Sequence, residues 1–265
     1  MVEIAISLAV IGFALVAIIG ILPSGMEVQK ENRHETIIVQ DQSMLMNAIR
    51  GGARGLDDLT NYVFAITNYQ WTYNITSTAT NPISYSPVGY TSTTPPEFPL
   101  TNGFRIVGLL STPRFSIAPK GYTYSNYVVA FVRSMSGPAF EKFPQQDATV
   151  QELGLRYRLI CEVVPYAYYD PDWINYTAYT NVANPGDWQR RSNYWAIART
   201  LRTNLYDVRL TFRWPLLPDG SGGGGRQTFR TLVSGHLLGP TNEVGLQAPP
   251  YSLYFFEPRD YVKAQ

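Results

Sequence analysis

Cysteine is almost absent from this chain: Cys161 stands alone among 265 residues, which excludes an internal disulfide framework. Histidine is nearly as scarce, with two residues, so a zinc site of the usual Cys/His spacing lacks its ligands. Charge is sparse as well. Asp, Glu, Lys and Arg make up 15% of the chain, and 21 basic against 20 acidic residues leave a net charge of +1. No bulk field therefore draws nucleic acid or an anionic surface. Finally, no basic residue precedes the apolar run at the start of the chain, which argues against an ordinary secretory signal.

What is present is apolar at one end and aromatic elsewhere. From Ile4 to Leu22 there are 19 residues, of which only Ser7 carries a polar side chain. As a helix this run is roughly 29 Å long, the thickness of a bilayer core. Glu3 stands immediately before it. Helical spacing continues beyond the run: Ile38, Leu45 and Ile49 share one stripe, and Ile37, Met44 and Ala48 repeat it one residue earlier. Pro23 and Gly25 are expected to kink or melt the helix near residues 19–25. The paired Gly51 and Gly52 should end it. A helix of this length, about 75 Å, is a rod rather than part of a compact domain. Residues 1–53 are therefore assigned to the rod and 54–265 to a head.

The head carries 19 Tyr and is rich in Thr, Asn, Pro and Gly, a composition suited to strands and ordered polar loops. Residues 56–70 are expected to form a short helix capped by Asp57 or Asp58. Thr72 to Asn102 is expected to be a long surface loop. Phe104–Leu110, Tyr127–Arg133 and Leu155–Val164 are strand-like runs. The clearest strand is Leu205–Trp214. Tyr206, Val208, Leu210, Phe212 and Trp214 fall on one face and Asp207, Arg209, Thr211 and Arg213 on the other, as on a half-buried antiparallel sheet. Arg226–Ser234 should pair with it across the turn-rich Pro215–Gly225, and Tyr251–Phe256 should supply the last strand. The expected fold class is α+β: a long N-terminal helix, kinked near Pro23, followed by an antiparallel β-sheet head.

Motifs with chemistry are weak. Gly220-Ser221-Gly222-Gly223-Gly224-Gly225 matches the spacing of a dinucleotide loop, but strand-like runs flank it on both sides, so a hairpin tip is expected. Cys161 lies in the apolar run Leu159–Val164 and reads as a buried small hydrophobe. His34 falls on a charged helical stretch. Ser234 and His236 sit two apart on one strand face with no third group to orient the ring. Asp170, Asp172 and Asn175 offer oxygen ligands suited to calcium, yet the loop lacks the glycine turn and terminal Glu of an EF-hand, so an Asx-turn is expected. Asn74 and Asn175 begin glycosylation sequons. No cofactor and no enzymatic activity are indicated.

The stretch Met1-Val2-Glu3-Ile4-Ala5-Ile6-Ser7-Leu8-Ala9-Val10-Ile11-Gly12 resembles the mature N-terminus of type IV pilins and type II secretion pseudopilins. That pattern has a Phe or Met start, an acid a few residues in, about twenty apolar residues, a helix-breaking proline and an amphipathic half-helix leading to a β-sheet head. Here the acid is third rather than fifth. Either the mature chain starts two residues upstream or this filament uses another register. Lys30 and Arg33 follow the apolar run and no basic residue precedes it. The positive-inside rule therefore orients an exported head wrongly unless a short basic leader once preceded Met1.

The resemblance implies a filament subunit held in the inner membrane before assembly, cut and N-methylated by a prepilin peptidase, then passed by assembly machinery into an extracellular homopolymer. Its assembly residues would be Met1, Glu3, Gly12, Gly20, Pro23 and Gly25. A minor pseudopilin of a secretion machine is the alternative expectation, and a single-pass anchored surface protein the third.

Overall fold

The computed structural model describes residues 2–52, 57–73, 78–86, 97–100, 102–117, 123–136, 154–166, 185–239 and 253–262. Helix α1 spans Val2–Gly51 without interruption. The helix does not melt at residues 19–25. A mid-helix proline removes one donor and costs about 3 kcal/mol, but extending an existing helix needs no new nucleus. The stop is where the glycines placed it. Gly52 takes φ +66°, a left-handed conformation open to glycine, and a Cβ there would lie 2.9 Å from the Phe256 carbonyl oxygen.

After a 3-10 turn at Asp57–Asn61, the strands are β1 (Val63–Tyr73), β2 (Thr78–Ser86) and β3 (Glu97–Pro99). Helix α2 (Gly103–Leu110) follows, then β4 (Phe115–Ile117), β5 (Thr123–Arg133) and β6 (Arg156–Pro165). Helix α3 (Pro185–Asn204) precedes β7 (Leu205–Leu216), β8 (Gly222–Ser234), β9 (His236–Leu238) and β10 (Phe255–Glu257). The main sheet runs β3-β2-β1-β5-β6-β7-β8, with β4 also paired to β5. All its pairings are antiparallel except β2–β3. The molecule is thus α+β, a long apolar-ended helix followed by a largely antiparallel sheet.

The alternation expected for β7 is present: Tyr206, Val208, Leu210, Phe212 and Trp214 are all buried. In register with them are Leu159 and Cys161 of β6, which meet Phe212 and Leu210. This inner face packs with Ile38, Leu45 and Ile49 of α1 and Ile106 and Val107 of α2 in one apolar cluster.

Several expectations are corrected. Residues 56–70 hold the 3-10 turn and most of β1, not a helix. Val63 and Ile66 mimic helical spacing, but apart from Ala65 the run Tyr62–Thr67 is aromatic or β-branched, which favours a strand. Within the expected loop of 72–102 lie the end of β1, all of β2 and β3. Phe104–Leu110 is helix α2: Asn102 Oδ1 accepts the Arg105 amide at 2.8 Å as an N-cap, and a short apolar run cannot by itself choose between strand and helix. Gly222–Gly225 lie inside β8; the turn is tighter, with the Gly220 amide donating to Leu217 O at 2.9 Å. A Cβ on Gly225 would run into the Trp214 ring, and one on Gly222 into Arg213, so these glycines admit the neighbouring strand's side chains. From the expected last strand, Phe255 and Phe256 pair with β9 in a separate two-stranded sheet. Helix α3 was not signalled by pattern; its Tyr194 and Ile197 are exposed.

Candidate assembly helix and its anchor

From Val2 to Arg33 every α1 side chain is exposed. This projecting length measures roughly 48 Å, and Phe13 is 82% exposed. Its apolar part is long and apolar enough to cross a membrane, by length and composition alone. Water is a poor solvent for such a stripe: burying each Ile, Leu, Val or Phe contributes about 1.5–3 kcal/mol. Glu3 occupies the first turn, where a carboxylate suits the helix dipole, and Ser7 Oγ donates to the Glu3 carbonyl at 2.9 Å. Beyond the Cβ positions of Gly12, Gly20 and Gly25 nothing lies within 4 Å. These glycines leave smooth patches on which another helix can approach closely. Pro23 lies between them, followed by Ser24, whose hydroxyl donates to Ile21 O at 2.9 Å.

The other end of α1 is locked to the head through a residue that sequence reasoning did not single out. Asp41 is fully buried. Its Oδ2 accepts the Met135 amide and the Tyr157 hydroxyl, each at 3.0 Å, and its Oδ1 accepts Ser136 Oγ at 2.6 Å. Ser136 Oγ also lies 3.2 Å from Ile37 O. Burial pushes the Asp41 carboxyl above the usual range, and the bonds from Ser136, Met135 and Tyr157 pull it back in part. Burial, together with the charge of Asp41, pushes the Tyr157 hydroxyl well up. A buried acid costs several kcal/mol unless its oxygens are satisfied, so only one rotation and one height of α1 on the sheet are tolerated. The signal was present in the sequence: Asp41 lies three residues after Ile38 and four before Leu45, a lone acid on the buried stripe.

Glu3, Gly12, Gly20, Pro23 and Gly25 are all on the projecting helix but are spread along it, not gathered at one point. Met1, Asn74, Asp170, Asp172 and Asn175 lie outside the described residues. Ser234 and His236 do not share a strand. Gly235, at φ +133°, separates β8 from β9, and the His236 amide donates to Asp260 O at 2.8 Å. His34 is partly buried, and burial and Lys30 hold its pKa below the ordinary value. Cys161 is buried, its Sγ 2.8 Å from Leu110 O. Among the described residues no group of three His, Cys, Asp or Glu side chains is placed to hold a metal. Comparison with protein-family models, with curated proteins and with solved structures returns no match.

The arrangement therefore combines a sheet-built head, a helix held in it by Asp41 and a projecting apolar rod.

Proposed function

We propose that this chain is a non-enzymatic structural subunit of an extracellular filament of the type IV pilus kind, held in the inner membrane before assembly. The observation that carries the reading is the unbroken helix α1. Its last turns are locked into the head by Asp41, while its apolar stretch is exposed along its whole length. A helix tethered so firmly at one end and so exposed at the other has two apolar environments available, a bilayer and a bundle of identical helices. The Glu3 carboxylate gives the bundle a register. Inside hydrocarbon it needs a partner, and the mature N-terminal amine of a neighbouring subunit supplies one.

The test is assembly of full-length protein in cells that export it. Sheared wild-type cells should yield filaments of this chain with a processed, N-methylated terminus by mass spectrometry. Glu3→Ala should reduce filament yield sharply while leaving the membrane-held subunit folded. Normal assembly and register in Glu3→Ala would overturn the register role. A processed terminus without filaments would favour the minor pseudopilin of a secretion machine, to which the large head also points. An unprocessed terminus on a detergent-released monomer would favour a plain membrane anchor.

A further inference from the structure

Strand pairing assembles an arginine cluster on the outward face of the sheet. Arg158, Arg213 and Arg226 stand directly opposite one another across β6, β7 and β8. Arg156 stands opposite Arg133 of β5 at the same end. Adjacent strands are about 4.8 Å apart, so three guanidinium groups share roughly 10 Å. Like charges directly opposite destabilise a sheet, and burial and the Arg156 charge both lower the pKa of Arg133.

The fold treats a similar pair elsewhere on this face differently. Arg209 and Arg230 are also opposite each other, but Asp207 accepts Arg209 Nε at 2.8 Å and Arg230 Nε at 2.7 Å. Among the described residues no ion pair reaches Arg133, Arg156, Arg158, Arg213 or Arg226. Arg158 Nε is buried with no hydrogen-bond partner. The acid of the adjoining turn, Asp219, is already bonded by the Ser221 amide and hydroxyl at 2.9 and 2.7 Å.

The complementary feature is on the projecting helix. Glu27, Glu31 and Glu35 recur every four residues, forming one stripe with about 6 Å per step. All three are exposed, and no ion pair reaches them among the described residues. Like charges at this spacing repel, while Lys30, Arg33 and His34 sit on the flanks of the stripe. The stripe continues the helix side that carries Ile38 and Leu45, so it faces outward in any bundle whose heads are outside. A chain cannot pair its own stripe with its own cluster, because helix and arginines are on opposite faces of the sheet. Tyr157, between Arg156 and Arg158, holds Asp41, so the cluster is level with Asp41. Glu35 lies about 9 Å and Glu27 about 21 Å below that level along the helix.

We infer that the arginine cluster of one copy docks on the Glu27/Glu31/Glu35 stripe of a second copy displaced by about 9–21 Å along the helix axis. The inference rests on the filament reading and names the contact between heads and neighbouring helices. It sets an axial stagger as well as a partner.

Charge exchange in the full-length chain tests it. Arg156 and Arg226 are exposed and each faces another arginine across the sheet, so R156E with R226E should leave the melting temperature equal or higher yet lower filament yield about tenfold, since several exposed pairs between copies become repulsive. E31R with E35R should do the same, and the four changes together should restore assembly. A second readout is independent of filaments: Glu31→Cys and Arg226→Cys in one chain should give intermolecular cross-links in detergent solution, where copies are free to take up the stagger. Filaments without cross-links, with silent reversals, would overturn the docking and spare the filament reading. Cross-links without filaments would support the docking and overturn the filament reading. A four-fold variant no better than either double variant would also overturn the docking.

Discussion

Removing the Asp41 carboxylate is the sharpest test of how helix and head are joined. In Asp41→Ala the Met135 amide and the Tyr157 hydroxyl, both bonded to Oδ2 at 3.0 Å, lose their acceptor in a buried place. Each unsatisfied buried donor costs about 1–3 kcal/mol, so the pair costs about 4 kcal/mol. Ser136 adds little, because its hydroxyl can turn to the Ile37 carbonyl at 3.2 Å. For a head of this size the melting temperature should fall by about 8–16 °C. Asp41→Asn should behave quite differently. The amide oxygen can serve Met135 and Tyr157 while the amide nitrogen donates to Ser136 Oγ, so every group stays bonded and the buried charge is gone. Its stability at neutral pH should match or exceed wild type. The sign with pH follows from the raised carboxyl. The stability this group contributes is fully present below its unfolded pKa and is lost as pH rises through the raised folded value. The advantage of Asn over Asp should therefore grow with rising pH. The assay is thermal unfolding of detergent-solubilised full-length protein, followed by near-ultraviolet circular dichroism from pH 3 to 8. An Ala variant within about 1 kcal/mol of wild type, below the cost of even one such orphaned donor, would refute the anchor.

Other outcomes follow from the same geometry. Burial pushes Asp207 up, but the hydrogen bonds and charges of Arg230 and Arg209 outweigh it and hold the carboxyl below the usual range. Its contribution is present above the unfolded pKa and lost as pH falls through the depressed value, so Asp207→Asn should flatten the acid limb of melting temperature against pH. Cys161 is buried and its thiol is pushed far up by burial and by Glu162, so maleimide should label it only in denaturant; labelling of the native chain would contradict its placement. Gly108→Ala puts a methyl 2.6 Å from Phe255 Cζ and 2.9 Å from Leu253 Cβ. Overpacking there should cost about 1–3 kcal/mol, measurable as an earlier denaturation midpoint.

Local chemistry made the rod and the best strand legible. Nineteen residues with one hydroxyl, the stripe of Ile38, Leu45 and Ile49, and the two-residue alternation of Tyr206–Trp214 each declare a periodicity without reference to distant residues. The Gly51–Gly52 stop was equally local. Short apolar runs carried no such information: Phe104–Leu110 and Val63–Ile66 each fit two periods, and contacts elsewhere decided between them. The Gly222–Gly225 run reads as a turn, but Gly222 and Gly225 make room for the side chains of Arg213 and Trp214, which only pairing brings near.

The sequence by itself determined that a long apolar helix precedes a β-rich head, because hydrophobic period and composition are properties of neighbouring residues. Tertiary structure alone decided how the two are joined and what the head displays. Asp41 meets partners 94, 95 and 116 residues away. Arg158, Arg213 and Arg226 come into line only through strand register. A buried acid and a row of like charges are both costly placements, and their cost appears only when distant segments share a surface.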